Sequence, residues 1–552
     1  MESEQFGWDD PKFTPHPESH YCTQPTTTMV IWGGLRPIVS QVLIDAWTLF
    51  GFGYVVVTEP SMANGFVLVA VSALSVFLAG NVTNRWSISF PMIPLLALQL
   101  LIRPLVYRSA QKNCRKRSLC GTYIVGLPSI LLVLVAASLA VLFPAVELPL
   151  VFPSKYNVGV VDVFLPANIR YITNVPGVHE DAREKTVDHV TVRIFYPTLE
   201  DPNKPIFQLK PETAEAFCYE TMKYGAPPPL RKYDWMLHNW RLAKLPATRN
   251  AQPLDAEQPF PIVAFSHGLG GNADIYSYQT ISLAASGHVV VLVEHADGSG
   301  PVVSRQDGTE ILRQTRVEED WNNGNFQNYR KTRRAMVEFR SEEYLAAVSA
   351  TKSLNQQNIP ALESLGVDFV GKLNVDEVHY MGHSFGAATA MYAGLQQPPT
   401  SILAHDPVSG WLPDPVRFSL YESPRVERAT TNYSYYWVSD EELADAAEYS
   451  GPSIHDIPTL ILFSHEWHSQ NWEGTQLLSD MSERNLLGNG STKFQVQVID
   501  GAKHNEFSDT SMMTPTWLAR ATGLTGDRNP LHTAWDIRRA TWEFLQELQL
   551  VI

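Results

Sequence analysis

Long apolar runs dominate the first 150 residues of the 552-residue chain. The run 118–146 contains no charged residue, and it is longer than the roughly 20 apolar residues that a helix needs to cross a bilayer. Three weaker runs precede it, and Asp45 interrupts the first of them, where a charge inside lipid would be costly. These runs lie at 38–57, 60–84 and 86–102. The pattern predicts a polar N-terminal tail over 1–28 and a membrane-spanning region of three to four helices over 29–150.

Basic residues between the third and fourth runs predict the orientation in the membrane. The loop holds Arg103, Arg108, Lys112 and 115–117, with no acidic residue among them. Such loops face the cytoplasm, so the residues after about 148 should lie on the luminal or extracellular side. A secretory signal peptide followed by buried helices fits less well, because the first 28 residues are polar. We therefore predict an integral membrane protein with the bilayer as a partner.

From about residue 156 the pattern changes to short runs rich in β-branched residues, separated by helical stretches. This alternation is typical of an α/β domain with a mostly parallel central sheet, which we assign to 151–552. Met336, Phe339 and Tyr344 recur at helical spacing within a predicted helix over 333–354, and they are interpreted as core. The predicted strands are 190–196, 261–265, 288–294, 377–381, 402–404, 459–463 and 494–499.

Composition restricts the possible partners and cofactors. A formal net charge of −15 argues against a nucleic-acid partner, since phosphate binding relies on clustered Lys and Arg. The four cysteines are scattered, which favours neither a disulfide framework nor a metal site. We predict no metal and no organic cofactor, and the composition says nothing of the oligomeric state.

The stretch 382–386, Gly-His-Ser-Phe-Gly, follows a predicted strand and begins an alanine-rich segment. A G-x-S-x-G motif in this context predicts a nucleophile elbow, the sharp turn that exposes a serine in α/β-hydrolases. Gly382 and Gly386 would let neighbouring backbone approach this turn, which also contains His383. Ser384 is therefore the predicted nucleophile.

A serine hydroxyl needs a base and an orienting acid, which follow the serine in this order along the chain: Ser, acid, His. His504 follows the last predicted strand and is the predicted base, whereas His465 and His468 follow the preceding strand and are interpreted as cleft-lining or structural. Asp406 follows the strand 402–404 and is the favoured acid. Asp440 and Asp456 remain alternatives.

An oxyanion requires two preorganised backbone N–H donors. We predict that one is the amide of Phe385, which follows the nucleophile. The other is expected in the glycine-rich loop 267–271, where we predict the amide of Leu269. The loop lacks the Lys-Ser/Thr ending of a phosphate-binding loop.

Taken together, these motifs resemble the platelet-activating factor acetylhydrolase family of the plasma and intracellular type, over about 156–550. The resemblance implies a calcium-independent serine esterase that removes short or oxidised sn-2 acyl groups from phospholipids, with Ser384, Asp406 and His504 as its triad. The matching stretches are 158–162, 192–197, 265–270, 293–295 and 382–386.

Two features depart from the family pattern. The stretch 410–457 is longer, with an aromatic patch and an acidic segment, and it is either a lid or a surface excursion. The predicted membrane-spanning region is foreign to the soluble members. Two alternatives therefore stay open: a lipase or carboxylesterase acting on neutral esters, and an inactive hydrolase fold that serves as a membrane scaffold.

Overall fold

The computed structural model describes fourteen parts of the chain, all C-terminal to residue 147. Most of the predicted lid, including Asp440, lies outside them, as do the four apolar runs and the basic loop. The described residues are 148, 155–172, 184–200, 206–211, 213–225, 229, 231–232, 234–306, 308, 310–312, 316–413, 452–470, 475–483 and 493–549.

A nine-stranded sheet forms the centre of the described region, in the order β13-β12-β11-β10-β6-β7-β2-β1-β5. Six of its eight strand pairings are parallel, as predicted, and the long ribbon of β1 and β2 supplies the two antiparallel pairings. Its strands are β1 (Asn157–Ile172), β2 (Glu184–Thr198), β5 (Thr248–Arg249), β6 (Phe260–Ser266), β7 (Val289–Glu294), β10 (Leu373–His383), β11 (Ser401–His405), β12 (Thr459–Ser464) and β13 (Phe494–Ile499). Two small sheets pair β3 (Ile206–Phe207) with β4 (Lys244–Leu245) and β8 (Val302–Ser304) with β9 (Glu310–Leu312).

Helices cover both faces of the sheet, and for this reason the central strands are apolar along their whole length. Every residue of β7 is buried. Alternate residues of β6 point to opposite cores, with Ile262 in one and Val263 in the other. The helices are α1 (Ala214–Gly225), α2 (Ser277–Ser286), α3 (Arg316–Asn322), α4 (Phe326–Ser353), α5 (Pro360–Ser364), α6 (Phe385–Gln396), α7 (His465–Ser469), α8 (Thr475–Glu483), α9 (Thr510–Met513), α10 (Thr516–Ala521) and α11 (Pro530–Gln549).

The membrane prediction has to be corrected. Across the described ranges, no helix combines the length and the hydropathy that crossing a bilayer requires. The longest helices there, α4 and α11, mix charged residues with the apolar positions that pack on the sheet, so they are amphipathic core helices. The N-terminal multi-span region, the integral membrane protein and its luminal or extracellular domain are therefore not supported; the runs that suggested them lie outside the described residues.

A buried ion cluster joins the β1–β2 ribbon to the rest of the sheet. Arg193 of β2 contacts Asp162 at 2.8 Å and Asp274 at 3.1 Å, and Lys210 contacts Glu294 at 3.1 Å. Burial by itself would raise the pKa of Asp162, but the Arg193 and Lys210 cations outweigh it and hold that pKa well below its ordinary value. The cluster stabilises the fold only while every charge keeps its partner.

We expect Arg193→Met to lower the free energy of unfolding by about 3–5 kcal/mol, because it removes the fully buried cation that lies nearest to both Asp162 and Asp274. Urea unfolding followed by circular dichroism measures this. Arg249→Met is the matched control, since Arg249 also contacts Asp162, at 3.0 Å, but its side chain is 43% exposed. Solvent screens that pair, and its loss should cost less than about 1 kcal/mol. Equal losses in the two variants would contradict the prediction.

Candidate active site

Ser384 occupies the turn between β10 and α6. β10 ends at His383 and α6 begins at Phe385, which leaves Ser384 with φ 57° and ψ −118°. This positive-φ conformation is strained for a residue with a side chain. The Ser384 amide donates to the carbonyl of His405 at 2.8 Å, so the turn is tied to the end of β11.

Two glycines make this turn possible. A Cβ on Gly382 would lie 2.2 Å from the carbonyl oxygen of Gly386, and a Cβ on Gly386 would lie 2.0 Å from the carbonyl oxygen of Ser266. Both distances are far below van der Waals contact and involve backbone atoms. The glycines of the motif therefore permit the close approach of α6 to the ends of β10 and β6.

The side chains of Ser384, His504 and Asp406 meet at the carboxyl edge of the sheet. The Nε2 atom of His504 lies 3.1 Å from Ser384 Oγ, and its Nδ1 atom lies 2.9 Å from Asp406 Oδ2. Ser384 and Asp406 are buried, whereas the His504 side chain is 21% exposed. The imidazole thus bridges a hydroxyl and a carboxylate at this edge of the sheet.

Asp406 is held on both its backbone and its side chain. It has a positive φ of 42° directly after β11, and its amide donates to the carbonyl of Leu462 at 2.8 Å. Its Oδ1 atom accepts a hydrogen bond of 2.7 Å from the amide of Ser464. One carboxylate oxygen is therefore fixed by β12, and the other faces the imidazole. Asp456 lies exposed before β12 and takes no part in this arrangement.

The loop 268–271 lies beside the nucleophile. A Cβ on Gly268 would lie 3.2 Å from Ser384 Cβ. Three of the four loop amides donate to protein acceptors: Gly268 to the Tyr276 hydroxyl, Gly270 to the Ser299 carbonyl and Gly271 to the Gly268 carbonyl. The fourth is the amide of Leu269. Phe385 is the first residue of α6, and amides in the first turn of a helix have no acceptor within the helix.

Comparison with known proteins gives the family. The sequence profile described as "Platelet-activating factor acetylhydrolase, isoform II" matches residues 154–551. The chain belongs to this family. The resemblance noted from the motifs is thereby confirmed.

This acetylhydrolase-family chain is similar to curated relatives over part of their length. The platelet-activating factor acetylhydrolase of Cavia porcellus is 30% identical over 218 residues, which is 36% of this chain and 45% of the relative. That of Canis lupus familiaris is 26% identical over 220 residues, 37% of this chain and 46% of the relative. The matches thus span about half the length of these relatives. A solved structure, a ferulic acid esterase from Streptomyces cinnamoneus, matches with 14% identity and a TM-score of 0.44, covering 73% of this chain and 93% of that one.

Sequence reasoning missed two residues that support His504 in this family member. Glu466 of α7 accepts a hydrogen bond of 3.0 Å from the His504 amide. Trp467 stacks on the imidazole, with ring centroids 4.2 Å apart and planes 4° from parallel. His465 and His468 lie on the same short helix, and His465 contacts Asp500 near the surface at 3.4 Å. The position of α7 directly after β12 is the only sequence signal that could have indicated this support.

His383 is a buried neighbour of the imidazole rather than a solvent-facing residue. Its Nδ1 atom lies 2.9 Å from the Tyr276 hydroxyl, and its ring stacks on Phe507 at 5.5 Å and 13°. Burial, together with nearby His504 and His405, holds the pKa of His383 well below its usual range. His383 is therefore neutral at physiological pH.

The ligand atoms of His383, Asp406 and His504 lie within 4.8 Å of one another, which by distance alone could hold a metal ion. The hydrogen bonds suggest a different use. His504 already bridges Asp406 and Ser384 through its two ring nitrogens, and His383 Nδ1 faces the Tyr276 hydroxyl. This arrangement suits proton transfer at Ser384, and the absence of a required metal stays a prediction.

We expect Gly386→Ala to abolish measurable esterase activity and to lower the melting temperature, because its Cβ would overlap the Ser266 carbonyl. Thermal unfolding and p-nitrophenyl acetate hydrolysis measure the two effects. Gly371→Ala is the control for backbone strain without overlap, since Gly371 has a positive φ of 73° but nothing lies within 4 Å of its added Cβ. Wild-type activity in Gly386→Ala would show that the close approach is not needed.

We expect Trp467→Ala to reduce kcat by about tenfold, because the unstacked imidazole samples more orientations. Trp467→Phe keeps an aromatic face and should restore most of the activity. Trp535→Ala, which changes a partly exposed tryptophan on α11, should leave kcat unchanged. Initial rates with a short soluble ester test this, and an unchanged kcat in Trp467→Ala would refute a role for the stack.

Proposed function

We propose that this chain is a serine esterase that hydrolyses the sn-2 ester of phospholipids with short or oxidised acyl groups, such as platelet-activating factor. The observation that carries the proposal is the position of His504, 3.1 Å from Ser384 Oγ and 2.9 Å from Asp406 Oδ2. Hydrogen-bond reach from nucleophile to base and from base to acid is the geometry that activates a hydroxyl.

Acylation begins when Ser384 Oγ attacks the ester carbonyl carbon. Nε2 of His504 takes the hydroxyl proton as the bond forms, and Asp406 stabilises the resulting imidazolium through Nδ1. The carbonyl electron pair moves onto oxygen, where the amides of Leu269 and Phe385 donate to the oxyanion. Collapse of this intermediate breaks the bond to the glycerol oxygen, which receives the proton from His504. The lysophospholipid leaves, and the acyl group stays on Ser384.

Deacylation repeats these steps with water as the nucleophile. His504 removes a proton from the water as it attacks the acyl carbonyl, and the same two amides donate to the second oxyanion. Collapse breaks the bond to Ser384 Oγ, which takes the proton back. The products are the free carboxylic acid and the regenerated enzyme, so the residues named here account for every proton and no redox partner is required.

The substrate class is supported by the family match and by the two relatives compared above, which are platelet-activating factor acetylhydrolases. The family match does not specify which head group or which acyl length the chain accepts, and those two parts of the proposal are tested by experiment. A lipase or carboxylesterase for neutral esters would use the same residues, so substrate comparison is the deciding measurement.

We expect Ser384→Ala in the full chain to lower kcat for sn-2 acetyl phospholipid by about four orders of magnitude or more, because the nucleophile is lost. A fluorophosphonate probe should label the wild type at Ser384 and leave the variant unlabelled. Ser409→Ala is the control. Ser409 is buried in the 3₁₀ helix that follows Asp406, but it is not one of the three residues proposed for catalysis. An unlabelled wild type with no hydrolysis would favour an inactive scaffold.

We expect kcat/KM to fall by more than about tenfold between sn-2 acetyl and sn-2 palmitoyl phospholipids, because a pocket shaped for a short acyl group excludes a long one. Fatty-acid release from a graded acyl series measures this, with a triacylglycerol in parallel and Ser384→Ala as the blank. Faster turnover of the triacylglycerol would replace the phospholipid assignment by the neutral-ester one.

A further inference from the structure

The oxyanion loop, residues 267–271, rests against the loop that follows β7, residues 297–300. The Gly270 amide donates to the carbonyl of Ser299 at 2.8 Å. A Cβ on Gly300 would lie 2.8 Å from the carbonyl oxygen of Gly271, so the two backbones touch. The conformation of the oxyanion loop therefore depends on where the second loop is held.

One buried side chain of α4 contacts both loops. The Arg340 guanidinium donates to the carbonyl of His267, to Ser266 Oγ at 3.1 Å and to Ser299 Oγ at 2.5 Å. Ser299 Oγ in turn donates to Asp297 at 2.5 Å, and that carboxylate lies 3.6 Å from the guanidinium. Arg340 is fully buried. Its planar fork can meet several acceptors at once, which a lysine ammonium at the same place could not reproduce.

Arg340 also contacts the helix that carries the second predicted oxyanion donor. Its Nε atom donates to Thr389 Oγ1 of α6 at 3.2 Å, and its guanidinium lies 4.6 Å from the centre of the Phe385 ring. The same cation thus touches both elements that supply amides to the oxyanion. Cation–ring contacts of this kind are strongest when they are removed from water.

A second Ser-His-acid arrangement strengthens this anchorage. Ser266 Oγ lies 2.8 Å from His295 Nε2, and His295 Nδ1 lies 2.9 Å from Glu343 Oε2, three residues after Arg340 on α4. Its geometry resembles that of Ser384, His504 and Asp406, but Ser266, His295 and Glu343 are at most 1% exposed. Substrate cannot reach these groups, so they join α4 to the ends of β6 and β7.

We infer that Arg340 and Ser299 are positioning residues that hold the oxyanion loop for catalysis, an inference that rests on the proposed esterase function. Leu269 lies between two fixed points: the His267 carbonyl, held by Arg340, and the Gly270 amide, held by the Ser299 carbonyl. With both ends fixed, the Leu269 amide keeps its direction toward the carbonyl oxygen of the ester that Ser384 attacks. Loosening either end misdirects that amide without removing any group that touches substrate.

The first test compares two buried serines. Ser299→Ala removes the hydroxyl that links Arg340 to Asp297. Ser341→Ala removes a hydroxyl that donates to the Glu338 carbonyl within α4 at 2.7 Å and to Gln396 Oε1, at the end of α6 farthest from Phe385, at 3.4 Å. We expect kcat for p-nitrophenyl acetate to fall about tenfold in Ser299→Ala. This is less than the roughly 10²–10³-fold fall in kcat that follows the loss of a whole oxyanion donor, because the variant misdirects the donor without removing it. The KM of Ser299→Ala should stay within about twofold of the wild-type value, because this variant weakens only the binding of the transition state. Ser341→Ala should match the wild type in both kcat and KM.

The second test measures oxyanion binding directly. A trifluoromethyl ketone adds to Ser384 and places a negative oxygen between the same two amides, so its inhibition constant reports on them. In Ser299→Ala and Arg340→Lys we expect that constant to rise by the factor by which kcat/KM falls, while it stays unchanged in Ser341→Ala. A variant that is merely less stable would lose active enzyme without weakening the inhibitor.

The outcomes separate this inference from the proposed function. A wild type that does not hydrolyse the ester and is not labelled at Ser384 overturns the proposed function, and the inference with it. An active wild type with unchanged kcat and inhibitor affinity in Ser299→Ala overturns the positioning role alone. If Arg340→Lys fails to fold, Ser299→Ala and its control still decide.

Discussion

Parallel pairing of β6, β10, β11, β12 and β13 is the constraint on which the candidate site depends. Strands hydrogen-bonded in parallel end at the same edge of a sheet, and each loop that leaves this edge starts within one or two strand spacings of its neighbour. Ser384, Asp406 and His504 follow three different strands and are up to 120 residues apart along the chain. They come together only because those strands are packed in this order.

Close approach of backbone to backbone is the second requirement. Gly382, Gly386 and Gly300 each lie where a Cβ would come within 2.8 Å of a carbonyl oxygen. Their contacts link the elbow to β6 and the oxyanion loop to the loop after β7. The site is therefore assembled by main-chain packing first, and the side chains act from positions that the packing has already fixed.

Buried polar groups stabilise this arrangement from behind. The contacts of Arg340 and Glu343 join one helix to the ends of two strands, and nearly all of the groups involved are removed from water. A buried network of this kind gives little net stability relative to apolar packing, but it strongly penalises any arrangement that leaves a partner unpaired. Its value lies in restricting the loops to one conformation, which a catalytic site requires and an apolar core does not supply by itself.

The sequence alone determined the elements that depend on local chemistry. Apolar periodicity located the strands that leave Ser384, Asp406 and His504 at their ends, and the spacing of Gly382 and Gly386 indicated the turn, since both signals come from sterics within a few residues. The membrane-spanning region predicted from hydropathy is not supported, because no helix among the described residues has the length and hydropathy to cross a bilayer. Only the fold decided that Asp406, not Asp456, faces His504, that Trp467 stacks on it, and that Arg340 lies beneath the oxyanion loop. Those contacts depend on which strands are neighbours and how α4 crosses them, and no short stretch of sequence carries that information.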